Sequence, residues 1–281
     1  MTRTPNPTLL IIGGAEDRVG KATLLRRFVR LAGGRRARLV VIPTASSFQA
    51  EVAHAYEEAF GRIGVADLGI VNPSSRAEAH DPDAVRAIEE ATGVFLSGGS
   101  QLRLSQFFPG TPLGAALHRA HRNGTVIAGT SAGASIMSQF MISMGEEGTT
   151  PRQRTSQLTA GLGLVEGVII DQHFAQRNRY GRLMSVVASS PHLLGIGIDE
   201  NTAIEVSGGR FTVLGSGVVH VLDARSAVTD FPDARRGAPM LISGAVVHSL
   251  PAGATFDLST VSLAHFVERH PDVVVGAGSR G

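Results

Sequence analysis

Gly129-Thr130-Ser131-Ala132-Gly133 sets a serine between two glycines in the pattern G-x-S-x-G. The apolar run 126–128 comes just before it, so a buried strand would turn sharply into a helix at the serine. Glycines two positions either side let helix and strand pass closely. The serine oxygen would then stand over a helix N-terminus, with the Ala132 N–H facing a developing oxyanion. Five residues alone also fit an ordinary βα turn. A serine nucleophile needs a base within hydrogen-bond reach and a group to orient that base.

Ten histidines are available. His173 directly follows the apolar run 168–170, where residues emerge at the carboxyl edge of a sheet, the edge that carries sites in open α/β sheets. His118 and His121 fall on a helical stretch, and His265 and His270 near the end of a last one. Asp199 and Glu200 both end the apolar run 194–198, and either could orient the base. The order serine, histidine, acid is not that of the α/β-hydrolases, where the acid precedes the histidine.

Ser97-Gly98-Gly99-Ser100-Gln101 is a second glycine pair at a strand end. It would offer a backbone donor to an oxyanion and a side-chain amide at Gln101 to a substrate. Arg177, Arg179 and Arg182 follow His173 and suit bidentate recognition of carboxylates; a solvated basic loop is the alternative. Asp171 could offset their charge or receive a cationic group. Gly13-Gly14 reads as a tight turn. The stretch 14–21, G-A-E-D-R-V-G-K, misses the spacing of a phosphate-binding loop by one residue and lacks its hydroxyl. No histidine pair has metal-ligand spacing, so no metal site and no cofactor are expected.

These groups need a scaffold. Apolar runs at 9–12, 39–42, 65–71, 94–96 and 126–128 alternate with helical stretches containing residues 24–31, 52–63, 82–91, 101–107 and 112–122. That alternation predicts a mostly parallel sheet with helices on both faces. The polar stretch 145–157 is expected to be a mobile surface loop. Strands at 168–170 and 194–198 flank a helix over 183–188. From residue 203 onward β-prone segments take over, at 203–206, 211–214, 218–222 and 241–247, with Gly208-Gly209 as a hairpin turn. No repeat or linker divides the 281 residues, so one catalytic α/β domain over 1–281 is expected, ending in a disordered tail at 276–281.

The chain has no cysteine, which excludes disulfides and thiolate chemistry. Its 26 basic residues nearly cancel its 24 acidic ones, giving no reason to expect nucleic acid as a partner. No apolar run reaches membrane-spanning length, and none resembles a signal peptide; a cytoplasmic location is the default.

Six segments occur in an order that resembles the cyanophycinases, serine peptidases grouped with aspartyl dipeptidase. They are G-G-A-E-D from Gly13, S-G-G-S-Q from Ser97, G-T-S-A-G-A from Gly129, D-Q-H-F from Asp171, R-N-R-Y-G-R from Arg177 and I-D-E-N-T-A from Ile198. The resemblance implies a flavodoxin-like fold related to class I glutamine amidotransferases, with a β-rich C-terminal part, and a homodimer. It implies Ser131 as nucleophile, His173 as base and Glu200 as orienting acid. Gly99 and Ala132 would supply the oxyanion N–H groups. Gln101, Asp171, Gln172, Arg177, Arg179 and Arg182 would line the substrate pocket. The implied reaction is exopeptidase release of β-Asp-Arg dipeptides from cyanophycin, an arginine-bearing polyaspartate. An α-aspartyl or related isopeptide peptidase is the alternative; a ligand-binding protein without activity is disfavoured by the intact triad.

Overall fold

The computed structural model describes residues 7–266. Its first half runs β1 (Thr8–Ile12), α1 (Thr23–Leu31), β2 (Arg38–Ile42), α2 (Gln49–Ile63), β3 (Asp67–Ile70), α3 (Pro82–Glu90), β4 (Gly93–Leu96), α4 (Gln101–Phe107), α5 (Pro112–Arg122), β5 (Val126–Thr130) and the single turn α6 (Ala132–Ser135). Then follow β6 (Phe140–Met144), β7 (Gln157–Ala160), β8 (Val168–Gln172), α7 (Tyr180–Ser189), β9 (Leu194–Ile198), β10 (Thr202–Ser207), β11 (Arg210–Gly215) and β12 (Val218–Asp223). The last strands are β13 (Val228–Thr229), β14 (Ile242–Ser243), β15 (Val246–Pro251), β16 (Thr255–Asp257) and β17 (Ser262–His265).

Nine strands form the main sheet in the order β17-β16-β11-β10-β1-β5-β4-β2-β3. The half from β1 to β3 is parallel, and the half from β10 to β17 is antiparallel. Strands β3-β2-β4-β5 reproduce the first four places of the 2-1-3-4-5 flavodoxin order, and β1 fills the fifth. Strand β1 shows why its sequence is continuously apolar. Leu10 and Ile12 pack with Leu25 and Phe28 of α1 and Phe60 of α2. Leu9 and Ile11 share a second core with Ile88 of α3 and Leu117 of α5 on the opposite face. Both faces are covered, so no position is left for alternation with polar residues. Each such side chain contributes about 1.5–3 kcal/mol on burial.

The sequence suggested one sheet, but β8 and β9 belong to a second, four-stranded sheet in the order β15-β12-β9-β8. Ile170, Ile196 and Ile198 face the core shared with the main sheet, whereas Ile169 packs on Leu183 and Val187 of α7. The two sheets meet where the glycines after β1 approach the ends of β8 and β9. There, Gly13 accepts the His173 N–H at 2.7 Å, and Gly14 accepts the Asn201 N–H at 2.8 Å.

The stretch 145–157 lies largely at the surface and is anchored at several points. Gly148 donates to the Asn178 carbonyl and accepts from Gly181 N–H, and Gln153, fully buried, pairs through its backbone with Gly237 and Ala238. Residues 241–247 are not one strand. The chain bends at Gly244 (φ +84°), between β14 and β15, which join different sheets. His265 ends the strand β17 rather than a helix, while His270 and the tail 276–281 lie outside the described residues. The Gly208-Gly209 turn joins β10 to β11 as expected, with both φ positive, at +58° and +77°. No helix among the described residues is long and apolar enough to cross a membrane.

Candidate active site

Ser131 stands between β5 and α6 with φ +54° and ψ −113°, a conformation rarely adopted outside glycine. Strain of this kind costs roughly 1–3 kcal/mol and persists only where the surroundings impose it. Here they do. A Cβ on Gly129 would lie 2.2 Å from the Gly133 carbonyl oxygen, and one on Gly133 would lie 2.2 Å from that of Leu96. Strand and helix therefore touch through the two glycines of the motif. The Ser131 N–H is fixed on the Ile12 carbonyl at 3.1 Å.

The serine Oγ lies 3.0 Å from His173 Nε2, and His173 Nδ1 lies 2.6 Å from Glu200 Oε1. A carboxylate at Nδ1 selects the tautomer with the proton there and leaves the Nε2 lone pair facing the serine hydroxyl. Burial holds the imidazole below its usual pKa. Arg177 and Arg179 push the same way, and Glu200 opposes them. These surroundings favour the neutral imidazole, the form able to accept a proton.

The choice between Asp199 and Glu200 is resolved by geometry. Asp199 accepts the N–H groups of Ala175 at 3.0 Å and Val218 at 3.1 Å, bracing the loop that carries His173. Glu200 is held by its own backbone, whose N–H donates to Gln176 Oε1 at 3.0 Å.

Gly99 follows β4 with φ +143°, and a Cβ there would lie 2.2 Å from the Ala45 carbonyl oxygen. Only glycine fits this position. A Cβ on its neighbour Gly98 would lie 3.1 Å from that of Ser131, so the Ser97–Gln101 turn borders the serine. Ala132 is the first residue of α6, where an N–H has no partner within the helix. Gln101 donates its amide to the Ile142 carbonyl at 3.1 Å.

The residues around His173 are arranged differently from the expected open cluster of three arginines. Asp171 is 1% exposed and receives both arms of Arg182, at 2.7 Å and 2.5 Å. Arg179 lies 3.5 Å from the same carboxylate, donates to the Gln172 carbonyl at 2.8 Å and to its side-chain oxygen, and reaches Glu147 at 3.5 Å. The Gln172 amide in turn donates to Ser135 Oγ at 3.3 Å. Asp171, Gln172, Arg179 and Arg182 therefore form one buried network, while Arg177 is exposed near His173.

Sequence reasoning missed the residues that lock these parts together. Gly14 has φ +105°, and a Cβ there would sit 2.3 Å from His173 Cε1, so its backbone packs directly on the imidazole. Asp17 turns its carboxylate inward to the N–H groups of Val19, Gly20 and Ala22, and its own N–H donates to Asn201 Oδ1 at 3.2 Å. The stretch that resembled a phosphate-binding loop thus has amides already occupied. The signal was the G-G-A-E-D segment, which carried the resemblance but of which the residues themselves gave only a tight turn at Gly13-Gly14.

The way a proton can pass defines the class. A hydroxyl faces an imidazole whose far side is steadied by a carboxylate, at the carboxyl edge of a doubly wound sheet; this is the chemistry of the serine hydrolases. Comparison with known proteins narrows it. The model of Peptidase family S51 matches residues 9–214, and the chain belongs to that family. A cyanophycinase from Nostoc sp. is 38% identical over 262 residues, covering 91% of this chain and 88% of its own. One from Synechococcus elongatus is 36% identical over 260 residues, covering 92% and 81%. Among solved structures, a peptidase from an acI-B1 Actinobacterium matches 90% of this chain and 98% of its own, with a TM-score of 0.65 and 22% identity, a likeness of fold.

Proposed function

We propose that this protein is a serine exopeptidase that hydrolyses cyanophycin to β-Asp-Arg dipeptides. The observation that carries the reading is the hydrogen-bonded chain from Ser131 through His173 to Glu200, in a sequence 35–38% identical to cyanophycinases over nine-tenths of its length. Ser131 Oγ attacks the backbone carbonyl between two aspartates as its proton passes to His173 Nε2. Glu200 stabilises the imidazolium. The N–H groups of Gly99 and Ala132 receive the oxyanion. The imidazolium then protonates the leaving amine, and water, activated by the same base, hydrolyses the acyl-enzyme.

Substrate recognition divides between two kinds of charge. Arg177 is the guanidinium free to grip a substrate carboxylate. Arg179 and Arg182 act behind it as a fixed cationic wall, their orientation set by Asp171. Gln101, anchored through its Nε2, presents its carbonyl oxygen as an acceptor.

The test is digestion of purified cyanophycin with product mass measured. The expected product is the β-Asp-Arg dipeptide, with Ser131→Ala slower by roughly 10⁴-fold or more, since triad members act as a unit. Equal rates for wild type and Ser131→Ala would overturn the mechanism. Faster cleavage of Asp-Xaa dipeptides than of the polymer would overturn the substrate.

A further inference from the structure

Glu16 is a buried acid beside the nucleophile that the triad chemistry leaves unused. It is 7% exposed. Its carboxyl oxygens are both taken by hydroxyls: Tyr56 of α2 donates to Oε1 at 2.5 Å, and Thr130 donates to Oε2 at 2.5 Å. Thr130 is the last residue of β5 and the immediate neighbour of Ser131. Tyr56 is itself 2% exposed and stacked among Phe60 and Phe95, so its hydroxyl is a fixed post.

Glu16 also lies in the loop that reaches the other two triad members. Three residues earlier, the Gly13 carbonyl receives the His173 N–H at 2.7 Å; two residues earlier, the Gly14 carbonyl receives the Asn201 N–H at 2.8 Å. One residue later, the Asp17 N–H reaches the Asn201 side chain, next to Glu200. The anchoring of one side chain thus fixes both the strained elbow and the loop against which His173 and Glu200 rest. We infer that Glu16 is a positioning residue for the hydrolytic reaction, locking Ser131 through Thr130 and registering it against His173 and Glu200. This rests on the serine-hydrolase reading of the site.

The experiment compares wild type, Glu16→Ala, the near-isosteric Thr130→Val, and the double variant. Functional sites are counted by labelling with a fluorescent phosphonate, and folding is checked by thermal unfolding. The reading expects kcat per labelled site and the rate of labelling to fall about tenfold or more in each single variant, with KM within about twofold. A displacement of about 1 Å at a reacting atom can cost about 100-fold. The double variant should be no slower than the worse single one, because both break one linkage. Thr130→Val with wild-type kcat and labelling rate would overturn the inference, as would losses that multiply in the double variant or fall on KM alone. A purely structural role would lower the unfolding temperature and leave kcat per labelled site unchanged. A wild type that neither labels at Ser131 nor hydrolyses the polymer would overturn the site itself, and this inference with it.

Discussion

Replacing Asp171 by asparagine keeps the shape of the side chain and removes its charge. The consequence follows from what surrounds it. Asp171 is 1% exposed, Arg182 meets it with two short hydrogen bonds, and Arg179 stands 3.5 Å away, both arginines being 7% exposed. The two guanidinium groups repel one another and are held together by this carboxylate. Its loss leaves one cation, Arg182, without its counter-charge, and the other, Arg179, with only the more exposed Glu147, also at 3.5 Å. Breaking a buried pair by removing one partner typically costs about 3–5 kcal/mol. Equilibrium unfolding in urea should show a loss of that size, with the slope unchanged. The double variant Asp171→Asn/Arg182→Met should recover part of it, because the stranded cation is gone. A loss below about 1 kcal/mol for Asp171→Asn would refute the reasoning, since Asp171 would then be free to receive a substrate cation instead of serving the protein's own arginines.

Two further outcomes follow from the site. Because burial and the neighbouring arginines lower the His173 pKa, the acid limb of kcat/KM should fall below the value of a free imidazole, near 6.5; Arg177→Ala removes one of the cations that lower it and should move the limb to higher pH, most clearly at low salt. Gly14→Ala would drive a methyl group into the imidazole at 2.3 Å and strain a backbone at φ +105°; kcat should fall by at least about 100-fold, read by steady-state kinetics, with Ser131 still in place.

The elbow was legible because its cause is local. Gly129 and Gly133 are needed wherever a helix follows a strand this closely, and the apolar run before them marks the strand. The inner strands of the parallel half, β1, β2 and β4, were legible for a similar reason: strands covered on both faces lose their alternation and read as short apolar runs. The same signal misled beyond residue 160. Strands β8 and β9 are also covered on both sides, so their sequences look like two more places in one sheet. Nothing local distinguishes a strand that joins the old sheet from one that begins a new one.

The sequence by itself determined the residue types and their order along the chain: a serine at an elbow, a histidine and a glutamate after two later buried strands, and three arginines after the histidine. The tertiary structure decided which of them meet. It chose Glu200 over Asp199 by turning the Asp199 carboxylate onto the backbone of Ala175 and Val218. It turned Arg179 and Arg182 inward onto Asp171, leaving Arg177 outside. It also set Gly13 and Gly14, which had read as a tight turn, and Glu16, which had read as part of a failed phosphate loop, against the segments that carry Ser131, His173 and Glu200. The physical reason is common to all three. Burial drives charges and amides to find partners, and those partners lie from about ten residues away, as for Asp171 and Arg182, to more than a hundred, as for Glu16 and Thr130, on elements that only the packing of the two sheets brings together.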